Sequence, residues 1–212
     1  MAQPLAVPAS VVGWLRGVRR LLRAYRRQLF SRESFLWLQL SLAEVPRRAG
    51  MPEGIRVYTF DERWAFLDAL PQELAERLEK LWVALPRSLV FAHAVEGTPV
   101  AYYCFASNGL LWVEELGVQR YFAPDEAYVH TCYTLPPYRG RGLHSRTIAA
   151  ACGWLACHGF RQAYALVGER NLPSLRGFQR AGFASVSRVV TWRLGGYLVR
   201  VRSGRGIWWD GS

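Results

Sequence analysis

Apolar positions early in the chain fall at Val11, Leu15, Val18, Leu22, Tyr25 and Leu29. Alternating steps of four and three place all six on one face of a helix. Arg16, Arg19, Arg20, Arg23, Arg26 and Arg27 take the other faces. At a rise of about 1.5 Å per residue, a helix over residues 11–30 would run about 30 Å. Pro4 and Pro8 oppose helix before it, and Ser10 stands where a cap belongs. Residues 35–42 form a short apolar run that suits helix or strand. Residues 46–54 read as a loop, with Pro46, Gly50, Pro52 and Gly54. Residues 55–60 then read as a strand, and 61–70 and 71–85 as two helical pieces. Pro71 suits a first helical position, and Leu74, Leu78, Leu81 and Leu85 give the buried stripe.

Beyond residue 88 the period changes to two. Residues 89–95 and 100–106 flank a turn at Glu96-Gly97-Thr98-Pro99, the pattern of a hairpin. Residues 110–118 read as one extended stretch, and 128–134 as a strand stopped by Pro136-Pro137. A helix follows over 143–158, closed by Gly159. A strand at 161–167, a short helix at 171–181 closed by Gly182, and strands at 185–194 and 197–202 complete the order. The predicted class is mixed α/β (α+β), with antiparallel strands first and a βαβ unit in the second half. The expected organisation is a basic N-terminal extension over 1–32, one domain over 33–202, and a tail over 203–212.

Composition narrows the function classes. The chain has 212 residues, 51% of them hydrophobic, which excludes a disordered tail. No run approaches the roughly 20 apolar residues of a membrane-spanning helix. Cys104, Cys132, Cys152 and Cys157 show no CxxC spacing, so buried free thiols in a reducing compartment are expected. No paired ligands suggest zinc or another metal. No secretory signal is evident, so the expected location is cytoplasmic.

The net charge of +11 is unevenly spread. Residues 1–50 carry nine arginines and two glutamates, hence +7. Three readings of residues 11–30 stay open. The apolar stripe packs on the domain, the helix lies at an anionic membrane surface, or it meets an acidic partner. No nucleic-acid-binding signature accompanies the arginines, so no nucleic acid is expected.

Two segments carry chemistry. Thr134-Leu135-Pro136-Pro137-Tyr138-Arg139-Gly140-Arg141-Gly142-Leu143-His144 joins a strand to a helix. Gly140 and Gly142 allow a tight turn, and the helix start offers unpaired N–H groups to an anion. Arg139 and Arg141 add positive charge. About 30 residues on, Asn171 opens a helix that ends at Gly182-Phe183. Together these resemble the GNAT superfamily of acyl-CoA-dependent N-acetyltransferases. The family's phosphate loop reads Gln or Arg, two residues, Gly, one residue, then Gly or Ala; Arg139 and Gly142 match. The resemblance covers residues 89–195 and is sharpest over 128–183.

The resemblance implies a GNAT fold: a mixed central sheet with a splayed parallel pair, flanked by helices. It implies acetyl-CoA, or another acyl-CoA, as donor and a small-molecule amine as acceptor. The strand ending Cys132-Tyr133-Thr134 would pair with the pantetheine arm. Backbone N–H groups of Arg139, Gly140, Arg141, Gly142, Leu143 and His144 would hold the pyrophosphate. Asn171 and Ser174 would help hold the arm. Three departures stand beside this. His144 replaces the usual small residue, Phe178 replaces a tyrosine that protonates the leaving thiolate, and Leu166 and Val167 stand near where many members carry a glutamate, Glu169 lying in the loop beyond.

Acyl transfer to an amine needs a base, a polarised carbonyl and a released thiolate. His130 is the leading base, because strict alternation would place it on one strand face with Tyr128, Cys132 and Thr134. Glu114 and Glu115 are further bases, of which one, taken as Glu115, could reach the cleft. Tyr133 and Tyr164 are the replacement acids. His93 and His158 have no motif around them and read as structural. The expected function is direct acetyl transfer to a primary amine in a ternary complex. Two alternatives remain: an acyl-CoA-sensing module without catalysis, or an N-acyltransferase fed by acyl carrier protein.

Overall fold

A computed structural model describes residues 30–194 and 197–204. The expected basic helix over 11–30 lies outside them except for Phe30, which opens the first strand. That strand, β1 (Phe30–Ser41), resolves the ambiguous run at 35–42. It is central in the sheet, between two later strands. Phe35 and Trp37 are buried on one face and Leu38 on the other. A strand covered on both sides is apolar on both sides, so its alternation is invisible in sequence.

The remaining elements follow the predicted order. They are β2 (Ile55–Tyr58), α1 (Arg63–Leu67), α2 (Gln72–Ala84), β3 (Leu89–Val95), β4 (Thr98–Ser107), β5 (Gly109–Val113), β6 (Val118–Phe122), β7 (Glu126–Thr134), α3 (Leu143–Cys157), β8 (Gln162–Gly168), α4 (Leu172–Arg180), β9 (Ala184–Leu194) and β10 (Tyr197–Gly204). Two expectations change. The extended stretch at 110–118 is the first half of a hairpin, β5–β6, with Val113 paired to Val118. Glu114 and Glu115 therefore lie in its turn, and strand alternation does not govern where they point. Pro71 is the cap of α2 and Gln72 its first residue.

Eight strands form one sheet in the order β10-β9-β1-β8-β7-β4-β3-β2, with β5–β6 as a separate pair. Every pairing is antiparallel except β7 with β8. On one face α3 and α4 bury Leu38, Tyr102, Cys104, Ile148, Leu155 and Phe178. On the other, α1 and α2 cover β3 and β4 through Phe66, Trp82, Val90 and Phe105. The β5–β6 hairpin covers the rest of that face, stacking Phe122 on Tyr128 at 5.0 Å beside Trp37. His93 Nδ1 meets Thr147 Oγ1 at 2.9 Å, tying β3 to α3 in a structural role. All four cysteines are free, but Cys157 is exposed and Cys132 half-buried, so only Cys104 and Cys152 match the expected burial.

Candidate active site

The parallel pair carries the first feature. β7 and β8 pair only from Glu126–Tyr128 to Gln162–Tyr164. β7 continues to Thr134 and β8 to Gly168, each then held only by its outer neighbour, β4 or β1. Two strand edges diverge here and form a backbone-lined wedge.

A bulge sits at the start of this divergence. Tyr103 pairs with Tyr133 and Phe105 with His130, so Cys104 faces both Thr131 and Cys132. Thr131 has φ of 49°. A β-branched residue in the left-handed region costs about 1–3 kcal/mol. The extra residue also breaks alternation. Tyr103 and Phe105 share a face, so their partners Tyr133 and His130 share it too, with Tyr128. Cys132 instead packs into the α3 side of the core, and Thr134, opposite Tyr102, goes with it. The expected set Tyr128, His130, Cys132 and Thr134 is therefore split between two faces. The split brings His130 and Tyr133 together on the α2 side.

His130 stacks on Tyr128 at 5.3 Å, within 13° of parallel. Its Nε2 lies 2.7 Å from Ser107 Oγ and its Nδ1 2.9 Å from Thr131 Oγ1. Burial pushes its pKa down to about 4. The ring is thus neutral at pH 7, and the near-neutral titration expected of an imidazole does not hold here. Tyr133 is exposed and lies under the Arg139 guanidinium, 5.8 Å from its ring centre. Tyr164 is buried and donates to Glu126 Oε1 at 3.1 Å. Burial raises its pKa to about 12, and its hydroxyl is engaged by Glu126. Glu115 is exposed; burial first, then the Glu115 charge, raises the pKa of Tyr128.

The mouth of the wedge is the turn after β7. Leu135 N–H donates to Ala101 O, and a short 3-10 turn spans Pro136–Tyr138. Gly140 and Gly142 follow at φ of 79° and 73°. A Cβ at either would meet nothing within 4 Å. Gly142 is the cap of α3, and the first N–H of that helix to be held is that of Arg146, on Gly142 O. The N–H groups before it stay available to an anion. Leu143 is buried and anchors the helix start. The arginine side chains turn elsewhere: Arg139 Nε donates to Thr134 O, and Arg141 pairs with Glu96 at 2.7 Å. Asn171 Oδ1 accepts from Ser174 N–H as the cap of α4, leaving its amide N–H groups and the Ser174 hydroxyl as donors. Beyond Gly168, a cavity of about 1180 Å³ opens between the start of β1 and Arg170.

A family profile described as "Acetyltransferase (GNAT) family" matches residues 56–183, more than half of the chain. The chain belongs to the GNAT acetyltransferase family. Its fold resembles that of a GCN5-related N-acetyltransferase from Sphaerobacter thermophilus, at 18% identity and TM-score 0.53, over 89% of this chain and 58% of that one. It also resembles a GNAT-family acetyltransferase from Colwellia psychrerythraea, at 12% identity and TM-score 0.52, over 82% and 61%. The chain thus spans about three fifths of the length of these solved relatives. No curated protein matches the sequence.

Two of the departures from the GNAT pattern, His144 and Phe178, are accounted for by packing. The His144 side chain turns inward, with Nδ1 2.9 Å from Tyr102 Oη and Nε2 3.3 Å from Ser174 O. Gly177 makes room for it: a Cβ there would lie 1.9 Å from His144 Cδ2. The imidazole therefore fills the gap between α3 and α4 and leaves its own backbone N–H at the turn. Phe178, at the position the resemblance gives to the acid, is buried against His144 and Phe183. Among the described residues no group of His, Cys, Asp and Glu could hold a metal ion. None of the described helices is long and apolar enough to cross a membrane.

The sequence reading passed over Thr131, Ser107, Ser88 and Tyr102, which complete the polar set around the two histidines. A β-branched residue beside a strand histidine gives no cue to a bulge. The two serines cap apolar runs and read as strand ends.

Proposed function

We propose that this chain transfers an acetyl group from acetyl-CoA to a primary amine by direct attack in a ternary complex. The observation that carries the reading is the early parting of β7 from β8. It leaves unpaired N–H and C=O groups along both edges of the wedge. A pantetheine arm carries amides of matching spacing and would sit there as an added strand. The open space over Gly140 and Gly142 fits a pyrophosphate on the backbone N–H groups of residues 139–144. Asn171 and Ser174 would donate to the arm from the start of α4. When bound, the donor supplies an acyl group activated as a thioester.

The chain's own residues then orient and move protons. Backbone N–H at the Thr134 end of β7 would polarise a carbonyl placed in the wedge. His130, neutral at pH 7, accepts the proton that leaves the amine. Tyr133, on the same face, is the O–H donor for a departing sulfur. Glu115 adds exposed negative charge on the side from which an ammonium would arrive.

A thiol-release assay over tyramine, glucosamine, kanamycin and spermidine tests this reading. The expected result is CoA release from acetyl-CoA with at least one amine. A second reading, a CoA sensor without catalysis, is favoured by one observation: Phe178 has no hydroxyl where the family's acid stands. Thermal stabilisation by acetyl-CoA with no thiol release would select it. Release only from an acyl carrier protein thioester would instead shift the donor.

A further inference from the structure

Four side chains form one hydrogen-bonded line on the α2 side of the sheet. Thr131 Oγ1 lies 2.9 Å from His130 Nδ1, and His130 Nε2 lies 2.7 Å from Ser107 Oγ. Ser107 Oγ is then 2.6 Å from Ser88 Oγ. Both serines are buried, yet Ser88 borders a surface cavity of about 260 Å³ lined also by Leu85, Arg87, Asn108 and Leu110. The line begins at the bulge, where the wedge opens, and ends at that cavity.

Stability alone gives no reason for this arrangement. The ring nitrogen needs only the Ser107 hydroxyl as its partner, and the further buried hydroxyl of Ser88 gains little over an alanine. Thr131 holds a strained backbone angle, and the hydroxyl this strain places is the one on His130 Nδ1. With both ring nitrogens on hydroxyls, the imidazole is connected on its two sides, as a conductor of protons requires.

We propose that Thr131, His130, Ser107 and Ser88 are a proton relay, draining the proton of the acceptor amine from the wedge to the cavity beside Ser88. The inference rests on the acetyltransferase reading above, with His130 in the path of the proton. The ammonium gives its proton to Thr131 Oγ1 as the Thr131 proton passes to His130 Nδ1. The Nε2 proton moves to Ser107 Oγ, that of Ser107 to Ser88 Oγ, and that of Ser88 to water in the cavity. Each member takes one proton and gives one. The ring ends as its other neutral tautomer and is restored before the next turnover by exchange with solvent, the Nδ1 proton leaving through the emptied wedge and one returning to Nε2 from the cavity. The low basicity of the buried ring fits this role, since it passes a proton on and does not retain it.

Ser88→Ala is the decisive variant, because residue 88 is remote from the wedge. We measure thiol release from acetyl-CoA with the amine from the panel that is turned over fastest. The expected result is a fall in kcat of about tenfold or more, with both KM values unchanged within about twofold. Ser107→Ala should behave alike, and Ser107→Thr should keep about half of the wild-type kcat. In mixed H₂O and D₂O the wild-type rate should bow with deuterium content, as several protons moving together require, and the Ser88→Ala rate should be linear. Wild-type kcat and the same bow in both alanine variants would overturn the relay and leave His130 as base. A fall in kcat that tracks a loss of thermal stability, unrelieved in Ser107→Thr, would also overturn it. A wild-type rate in His130→Ala would overturn the relay and leave the acetyltransferase reading standing without this base, whereas no turnover of any amine by the native chain would overturn both.

Discussion

Thr131 and Gly142 both lie in the left-handed region of backbone space, at φ of 49° and 73°, at the two ends of the wedge. At Gly142 the conformation costs little, and what it yields is backbone: open space over the turn and helix-start N–H groups ahead of Arg146 left unheld, with the arginines engaged elsewhere. At Thr131 the conformation is strained, and what it yields is side chains: a hydroxyl on His130, and His130 and Tyr133 moved onto one face. The end proposed to hold the pyrophosphate should therefore tolerate changes of side chain and resist changes of backbone. The end proposed to move protons should do the reverse.

The largest effect expected is at the side-chain end. His130→Ala should lower kcat for thiol release by about 10²- to 10⁴-fold, the range for a lost general base. A fall of less than about fivefold would remove the contrast between the two ends.

Next in size is a stability effect of the same ring. Its folded pKa of about 4 lies below the usual 6.5, so folding holds the neutral form. The contribution is fully present above about pH 6.5 and is lost as pH falls through 4, in total roughly 3 kcal/mol. Burial lowers His93 and His144 in the same sense. Urea unfolding at pH 7 and pH 4 of wild type and His130→Gln isolates the His130 part. Parallel losses in the two proteins would show that this ring is not the source.

At the phosphate end, Gly142→Val should raise the acetyl-CoA KM by about tenfold or more and cost about 1–2 kcal/mol of stability, since a β-branched residue resists this angle. The converse change, Thr131→Gly, should raise the melting temperature, because relief of strain exceeds the cost of chain freedom by up to about 1 kcal/mol. Calorimetry showing a lower melting temperature would mean the hydroxyl contact outweighs the strain. The smallest effect is Arg141→Gln. This exposed side chain pairs with Glu96, and an exposed pair contributes about 0–1 kcal/mol, so the KM should change less than about threefold.

The strand–turn–helix at 128–158 was legible because its signals are local: an apolar strand, two prolines, glycines at 140 and 142, then helical spacing. The cap of α4 was legible at Asn171 for the same reason. The faces of β7 were not, because one bulge at Thr131 reverses alternation beyond it. The serine pair was hidden by another irregularity. Val95 pairs with Thr98, but a register shift between His93 and Val95 pairs Leu89 with Ala106. A regular hairpin from the same turn would have set Ser88 against Phe105. Tolerance of His144 depends on Gly177, which is distant in sequence and adjacent only after α3 and α4 pack.

By itself the sequence determined the order of elements, the family and the turn that offers its backbone to an anion, because each is written in short-range periodicity and in residues with unusual backbone freedom. Only the tertiary structure decided which face His130 looks from, where β7 leaves β8, and which hydroxyls meet the ring. Those depend on register between strands far apart in the chain, and a shift of one residue reassigns every side chain beyond it.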